Sequence, residues 1–497
     1  MRSILFLFLI LASFSTLQAK DTAAPKRELR AVWIATVGNI DWPSRPGLSA
    51  QQQQQEFINQ LNFLQRSGFN AVVVQIRPAA DAFYPSPYEP WSKYLSGKQG
   101  QPPFPKYDPL EFMLNETHKR NMEFHAWFNP YRALVSSASN PNPPGHATRE
   151  HPNWIINYGG KSYFDPGNPD AREYILKVIL DVVKRYDIDA VHIDDYFYPY
   201  PVAGKAFPDQ QSYAKYSNGQ SREDWRRENV NLFVSQLNTN IKKEKPWVKF
   251  GVSPFGIWRN NNVDPEGSAT RGSSCYDELY SDVRLWIERK WVDYVAPQLY
   301  WEHGHRAAPY DVLLPWWKQN SGQRQLYIGL GVYRMQNANT YPWNSPNEIL
   351  KQIRAARALH TNGFIFYSAS SFTKIRTDLA DSLQQNYFGT IAIPPAMPWL
   401  DNIAPMAPVL RATNTANGVQ LQWEEDNPSK EPLKYLVYRF SAGEKQDLSN
   451  AEHIIALTKG SIFVDKEGGK NDKYVVTALD RLWNESEKSN TAELVTP

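Results

Sequence analysis

The stretch Ala190-Val-His-Ile-Asp-Asp-Tyr196 sets a short, largely apolar run directly against two consecutive carboxylates. Such a run suits a parallel strand buried on both faces, where no polar alternation is needed. Seven more runs recur along the chain: Leu29–Thr36, Asn70–Arg77, Glu123–Asn129, Phe250–Trp258, Tyr294–Trp301, Gln325–Tyr333 and Gly363–Ser370. Helical patterns fall between them, over Gln52–Arg66, Pro109–Asn121, Asp170–Tyr186, Glu223–Lys243, Asp277–Lys290, Tyr310–Asn320 and Pro346–His360. A last one lies near Lys374–Gln385. Eight strand–helix units are what a (β/α)8 TIM barrel requires. A doubly wound open sheet is the alternative, but no Gly-x-Gly-x-x-Gly turn follows the first strand. The spacing therefore predicts an α/β fold, a (β/α)8 barrel over residues 27–390.

Composition divides the rest of the chain. Arg2, the apolar run Ile4 to Ala12 and the small residue Ala19 follow the order of a secretory signal peptide over residues 1–19, too short for a membrane span. The mature protein is expected to be exported and soluble, in the periplasm or outside the cell, with no membrane insertion once the signal is removed. Cys275 is the single cysteine, so no intramolecular disulfide forms, and none follows the apolar run to carry a lipid anchor. A net charge of +3 calls for no nucleic-acid partner. Residues 391–406 are dense in proline (Pro394, Pro395, Pro398, Pro405) and read as a stiff linker. Over residues 407–497, alternating segments such as Val419–Trp423, Tyr435–Phe440 and Tyr474–Ala478 predict a small β-sandwich. The stretch from Lys473 to Ser486 resembles the penultimate strand and last turn of a fibronectin type III domain, which implies a spacer or a docking surface.

In a barrel of this type the active site lies at the C-terminal ends of the strands. The run quoted first ends in Asp194 and Asp195, and the sixth run ends Gln298-Leu-Tyr-Trp-Glu-His303. Glycoside hydrolysis needs two carboxyl groups, one to protonate the leaving oxygen and one to stabilise or attack the cationic sugar. Asp194 is the first candidate, Glu302 its partner as general acid, and Asp195 a competitor that could share the work. Strand alternation puts His192 and Asp194 on one face and turns Asp195 elsewhere. Substrate-binding candidates are Arg77, Asp81, His125, Asn129, Tyr131, His192, Tyr196, Tyr300 and Trp301. The chain holds 17 Trp and 27 Tyr, many of them beside Pro, Gly or Asn. Flat rings on loops suit sugar faces as well as plain packing, so Trp42, Trp91, Trp258 and Trp301 are platforms or core residues. A strand-end aspartate can equally cap a helix or pair with Arg77 or Arg132. Glu302-His-Gly-His305 is a compact potential metal-ligand set, yet no His-x-x-x-His or His-Glu-x-x-His spacing accompanies it. No metal and no other cofactor is expected. Walker and Gly-x-Ser-x-Gly patterns are absent from the sequence.

Several motifs occur together: Glu28-Leu-Arg-Ala-Val-Trp-Ile-Ala-Thr36, Asp41-Trp-Pro-Ser44, Val74-Gln-Ile-Arg-Pro78 and Ala126-Trp-Phe-Asn-Pro-Tyr-Arg132. With His192-Ile-Asp-Asp-Tyr-Phe-Tyr-Pro199 and Val295-Ala-Pro-Gln-Leu-Tyr-Trp301, this set resembles the YddW/YngK-type family of glycosyl-hydrolase-like barrels (glycosyl hydrolase-like ten). The match runs from about Arg27 to about Gly389. The resemblance implies an envelope-associated barrel hydrolase acting on the glycan strand of peptidoglycan, stripped of its peptides. Some relatives are lipoproteins, and the missing cysteine keeps tethering from being carried over. Asp194 and Glu302 come from the strand ends, not from the resemblance. The leading expectation is an endo-acting glycosidase on an amino-sugar polymer. A metal-dependent polysaccharide deacetylase and a glycan-binding barrel without activity are the alternatives.

Overall fold

Eight strands pair side by side, all parallel: β1 (Leu29–Ile34), β2 (Ala71–Arg77), β3 (Glu123–Phe128), β4 (Ala190–Ile193), β5 (Lys249–Val252), β6 (Tyr294–Val295), β7 (Gln325–Leu330) and β8 (Gly363–Phe366). They close in the order β1-β8-β7-β6-β5-β4-β3-β2. The computed structural model describes residues 24–137, 142–336, 341–375, 377–424, 433–469 and 471–493. The segment read as a signal peptide lies outside the described residues. Each of the eight apolar runs overlaps its strand, and all strands but β2, which ends with its run at Arg77, stop earlier than the run does, because the last residues leave the ladder and form the rim.

Helices form where capping chemistry permits. Ser49 and Gln52 make a reciprocal capping box at the start of Ala50–Arg66. Asp108 and Asn168 cap Pro109–His118 and Pro169–Arg185, each with proline in the first turn, where its missing N–H costs nothing. The single helix expected over Asp277–Lys290 is instead two short ones, Cys275–Glu278 and Val283–Glu288. Ser274 and Asp282 each start a new N-terminus, and Tyr280 between them has φ of 55°.

Two apolar layers result. Residues such as Val32, Val72, Phe124, Val191 and Phe250 face outward and pack beneath the helices. Alternate residues face inward, where Ala31, Trp33, Val73, Trp127, Tyr294 and Tyr327 fill the barrel.

Beyond the barrel lie two antiparallel sheets. One joins Val409–Thr415, Gly418–Glu424 and Ile462–Asp465; the other joins Ile454–Thr458, Lys434–Phe440, Lys473–Leu479 and Ala492–Glu493. Leu421, Trp423, Tyr435, Val437 and Val476 pack between them. The opposite face of the second sheet is also buried, since Leu436, Tyr438 and Val475 pack with Ile393 and Trp483. The proline-rich segment is not a free spacer. Ile393 exchanges backbone hydrogen bonds with Lys26 and Glu28, and Trp399 donates to Asp293 Oδ1 at 2.9 Å. Trp483 donates its indole N–H to Glu123 at the start of β3, and Arg481 pairs with Asp187 at 2.7 Å. These contacts lie at strand beginnings, so the sheets cover the N-terminal end of the barrel and leave the other end open. Among the described residues no helix is long and apolar enough to cross a membrane.

Candidate active site

The open end carries a cleft of about 430 Å³, within the range of small-molecule sites. Its floor and walls come from strand ends around the ring: Trp33, Gln75, Trp127, Asp194, Ser253 and Gln298. Tyr196, Tyr300, Trp301, Tyr333 and Tyr367 line the upper walls. Ring centroids of Tyr300, Tyr333 and Tyr367 lie 5.7–6.1 Å apart, giving one continuous aromatic wall.

Asp194 is the first residue beyond β4. Its Oδ2 accepts from Trp127 Nε1 at 3.0 Å and from Asn129 Nδ2 at 3.0 Å, and its Oδ1 accepts from the Tyr196 N–H at 3.4 Å. Burial nonetheless pushes its carboxyl up to about 7, with the Arg132 charge opposing and Asp195 reinforcing. Asp194 therefore carries a proton for much of its population near neutral pH.

Asp195 faces the same cleft, contrary to the alternation expected of a continuing strand. The β4 ladder ends at Ile193 and the chain turns, with the Phe197 N–H bonded to the Asp195 carbonyl at 3.1 Å, so period-two geometry no longer applies. The Asp195 carboxylate accepts from the Tyr200 hydroxyl and also hydrogen-bonds Gln298. Burial raises its pKa, and these donors work the other way. Arg132 stacks on Tyr196 at 4.5 Å and bears on both carboxylates.

Below the floor a hydrogen-bonded chain runs down the barrel interior. Trp33 Nε1 donates to His192 Nε2 at 3.2 Å, so that nitrogen carries no proton. Burial holds the His192 pKa well below its usual value, so the ring is neutral and protonated on Nδ1. Nδ1 donates to Tyr294 Oη at 2.9 Å, and Tyr294 in turn donates to His125 Nδ1 at 2.9 Å. The remaining His125 proton, on Nε2, goes to Glu123 Oε2 at 2.8 Å. Glu123 is held below the ordinary carboxylate range: burial opposes its charge, but the Lys249 ammonium and His125 outweigh it. At the upper end the Ser253 hydroxyl donates to His192 Nε2 at 3.0 Å. Ser253 thus offers only lone pairs to the cleft. The layer needs a missing side chain, since a Cβ on Gly251 would lie 2.0 Å from Tyr294 Cζ.

Tyr196, Tyr300 and Trp301 stand on the cleft wall. Asn129 lies just beneath as a donor to Asp194, and His192 lies under the floor. Arg77, Asp81, His125 and Tyr131 do not line the cleft. Arg77 is fully buried in a two-bond pair with Glu89 (2.5 and 2.8 Å) and donates to the Asn129 and Pro130 carbonyls, so it braces the loop after β3. Burial pushes the Asp81 carboxyl up to about 6, with a hydrogen bond from Ser92 opposing and the Glu89 charge reinforcing. Tyr131 packs on Phe233. Among the tryptophans proposed as platforms, Trp42 is core, packed on Phe57 and Phe83, and Trp258 stacks on Trp316.

Glu302 is outside the cleft lining. Its Oε2 accepts from Trp343 Nε1 at 3.1 Å and sits 4.0 Å from Arg334 Nη2. The chain turns after Trp301, with the His305 and Tyr310 N–H groups both bonded to the Glu302 carbonyl, which carries the side chain past the wall. His303 pairs with Glu348 of the helix Asn347–Ala358 at 2.8 Å, and His305 Nδ1 accepts from Ala307 and Ala308 N–H groups in its own loop, so both imidazoles are engaged by protein groups. Among the described residues no three His, Cys, Asp or Glu side chains converge as a metal-binding group.

Sequence reasoning passed over Gln75 and Ser253. Gln75 Oε1 accepts from the Thr36 and Val37 N–H groups at 3.2 and 2.9 Å, which commits its amide oxygen to that backbone and leaves Nε2 as the donor of a residue that lines the cleft. Its position at the end of β2 was the available signal.

The model of the glycosyl hydrolase-like 10 family matches residues 28–345. Glycosyl hydrolase YngK of Bacillus subtilis is 48% identical over 481 residues, covering 94% of this chain and 93% of the relative. Glycosyl hydrolase DigH of Escherichia coli K12 is 38% identical over 394 residues, covering 74% and 89%. Among solved structures, the glycoside hydrolase domain of PgaB from Bordetella bronchiseptica aligns with a TM-score of 0.46 at 13% identity, over 72% of this chain and 98% of that one. With its family match spanning β1 to the loop after β7, the chain belongs to the glycosyl hydrolase-like 10 family.

Proposed function

We propose that this protein is an exported glycoside hydrolase that cuts glycosidic bonds in a cell-envelope polysaccharide, namely the glycan strands of peptidoglycan. The observation that carries this reading is Asp194, a buried carboxyl in an open, aromatic-walled cleft, pushed up to about 7. A carboxyl that keeps its proton near neutral pH can give it to a leaving glycosidic oxygen. Membership of the family and relatives named glycosyl hydrolase support the reaction class.

In this reading Asp194 is the general acid and Asp195 the second carboxylate. Glu302 is left as a rim residue that steadies Arg334 and Trp343. Tyrosine and tryptophan faces bear the apolar faces of the sugars. Gln75 donates to a sugar oxygen and Ser253 accepts from a sugar donor. Trp127 and Asn129 aim Asp194, and Arg132 restrains the field of the two carboxylates. Export rests on the signal pattern of residues 1–19, and the C-terminal sheets act as a cover for the closed end of the barrel.

The test is mass spectrometry of products from purified peptidoglycan and from peptide-free glycan strands, with wild type and Asp194→Asn. Shorter glycans from the wild type alone support the reading. Products lighter only by acetyl groups would replace it with deacetylation, and unchanged glycans on both substrates would overturn it.

A further inference from the structure

Asp194 and Asp195 are the carboxylates on the cleft lining among the described residues, and they are consecutive at one strand end. Hydrolysis by two enzyme carboxyls needs them on opposite sides of the scissile bond, about 5–5.5 Å apart for a covalent intermediate and about 6.5–9.5 Å apart to admit a water. The facing walls supply no such group. Opposite β4 stand Trp33, Tyr300, Tyr333 and Tyr367, and the one glutamate expected there, Glu302, is turned towards Trp343. One side of the cleft therefore has two acidic groups and the other has none, an arrangement that suits a nucleophile carried by the substrate itself.

Resting on the glycosidase reading above, we propose that the 2-acetamido group of the bound sugar is the nucleophile, that Asp195 positions it, and that Asp194 is the acid and then the base. The acetamido carbonyl oxygen bonds to C1 as the bond from C1 to the leaving oxygen breaks, and the Asp194 proton passes to that oxygen. The positive charge enters the new five-membered oxazolinium ring, whose N–H donates to the Asp195 carboxylate. Water then bonds to C1 while Asp194 takes one of its protons. The ring C1–O bond opens, and the acetamido group is regenerated. Tyr200 and Gln298 hold Asp195 in place for that N–H. Ser253, whose own proton is committed to His192, adds a second acceptor on the floor. The substrate class is thereby narrowed to sugars with a 2-acetamido group trans to the leaving oxygen, which are β-linked N-acetylhexosaminides, and the product keeps its anomeric configuration.

Proton NMR of peptide-free glycan strands digested by wild type tests this without any variant. The β-anomer appearing first is expected, and the α-anomer first would overturn the proposal while leaving the glycosidase intact. Asp195→Asn is expected to lower kcat by about 10²–10⁴-fold, without rescue by azide. Restored turnover with an α-glycosyl azide product would make Asp195 a covalent nucleophile and overturn the proposal. De-N-acetylated strands are expected to resist cleavage, and cleavage at the wild-type rate would overturn it. If no glycan is cut at all, the underlying glycosidase reading fails instead.

Discussion

Replacing Asp194 by asparagine changes stability in a pH-dependent way whose sign and size follow from the site. An aspartate ordinarily titrates near 3.8, and burial pushes Asp194 to about 7. Because the folded value lies above the unfolded one, the protonated side chain's contribution is complete below about pH 4 and is lost as pH rises through about 7. One decade of pKa is worth ~1.4 kcal/mol, so the loss amounts to ~4 kcal/mol in order of magnitude. Asparagine has nearly the same shape, never ionises, and can still accept from Trp127 and Asn129 through its oxygen. Relative to wild type, Asp194→Asn therefore gains ~4 kcal/mol between about pH 4 and about pH 8.5, most of it between pH 4 and 7. Guanidinium unfolding of both proteins at several pH values measures the difference directly. A stability difference that stays flat across that range refutes the assignment of a raised pKa to Asp194. The same variant loses its proton donor, so kcat falls by about 10²–10⁴-fold, and wild-type kcat/KM declines on the alkaline side of about pH 7.

Glu302→Gln is expected to keep turnover within about threefold of wild type, read by reducing-end release, since its carboxylate does not line the cleft and a hundredfold loss in kcat would return it to catalysis. Tyr294→Phe leaves His192 Nδ1–H and His125 Nδ1 buried without their shared partner, so denaturant unfolding should show a loss of ~2–4 kcal/mol. Trp483→Ala opens a cavity at the closed end and should cost ~3–5 kcal/mol, with kcat/KM of the folded enzyme unchanged because the contact lies across the barrel from the cleft.

Much of the fold was legible in the chain because it depends on local pattern. Apolar runs of strand length, separated by capped amphipathic stretches, have few solutions other than a parallel barrel, and the ends of those runs mark its active rim. Asp194, Tyr196, Tyr300 and Trp301 were legible for that reason: each sits at or just past a strand terminus. Gln75 and Ser253 sit there too, but their roles depend on which of their atoms are already occupied. The backbone of Thr36 and Val37 decides that for Gln75, and His192 decides it for Ser253.

Sequence alone thus determined the barrel, its count of eight strand–helix units and the rim on which chemistry can sit, because period and capping act within a few residues. Only the tertiary structure decided direction. It turned Asp195 into the cleft where the β4 ladder ends, carried Glu302 past the wall, withdrew Arg77 into a pair with Glu89, and pressed the C-terminal sheets against the far end. Those outcomes are set by partners dozens to hundreds of residues away, through burial and hydrogen bonds that no local pattern encodes.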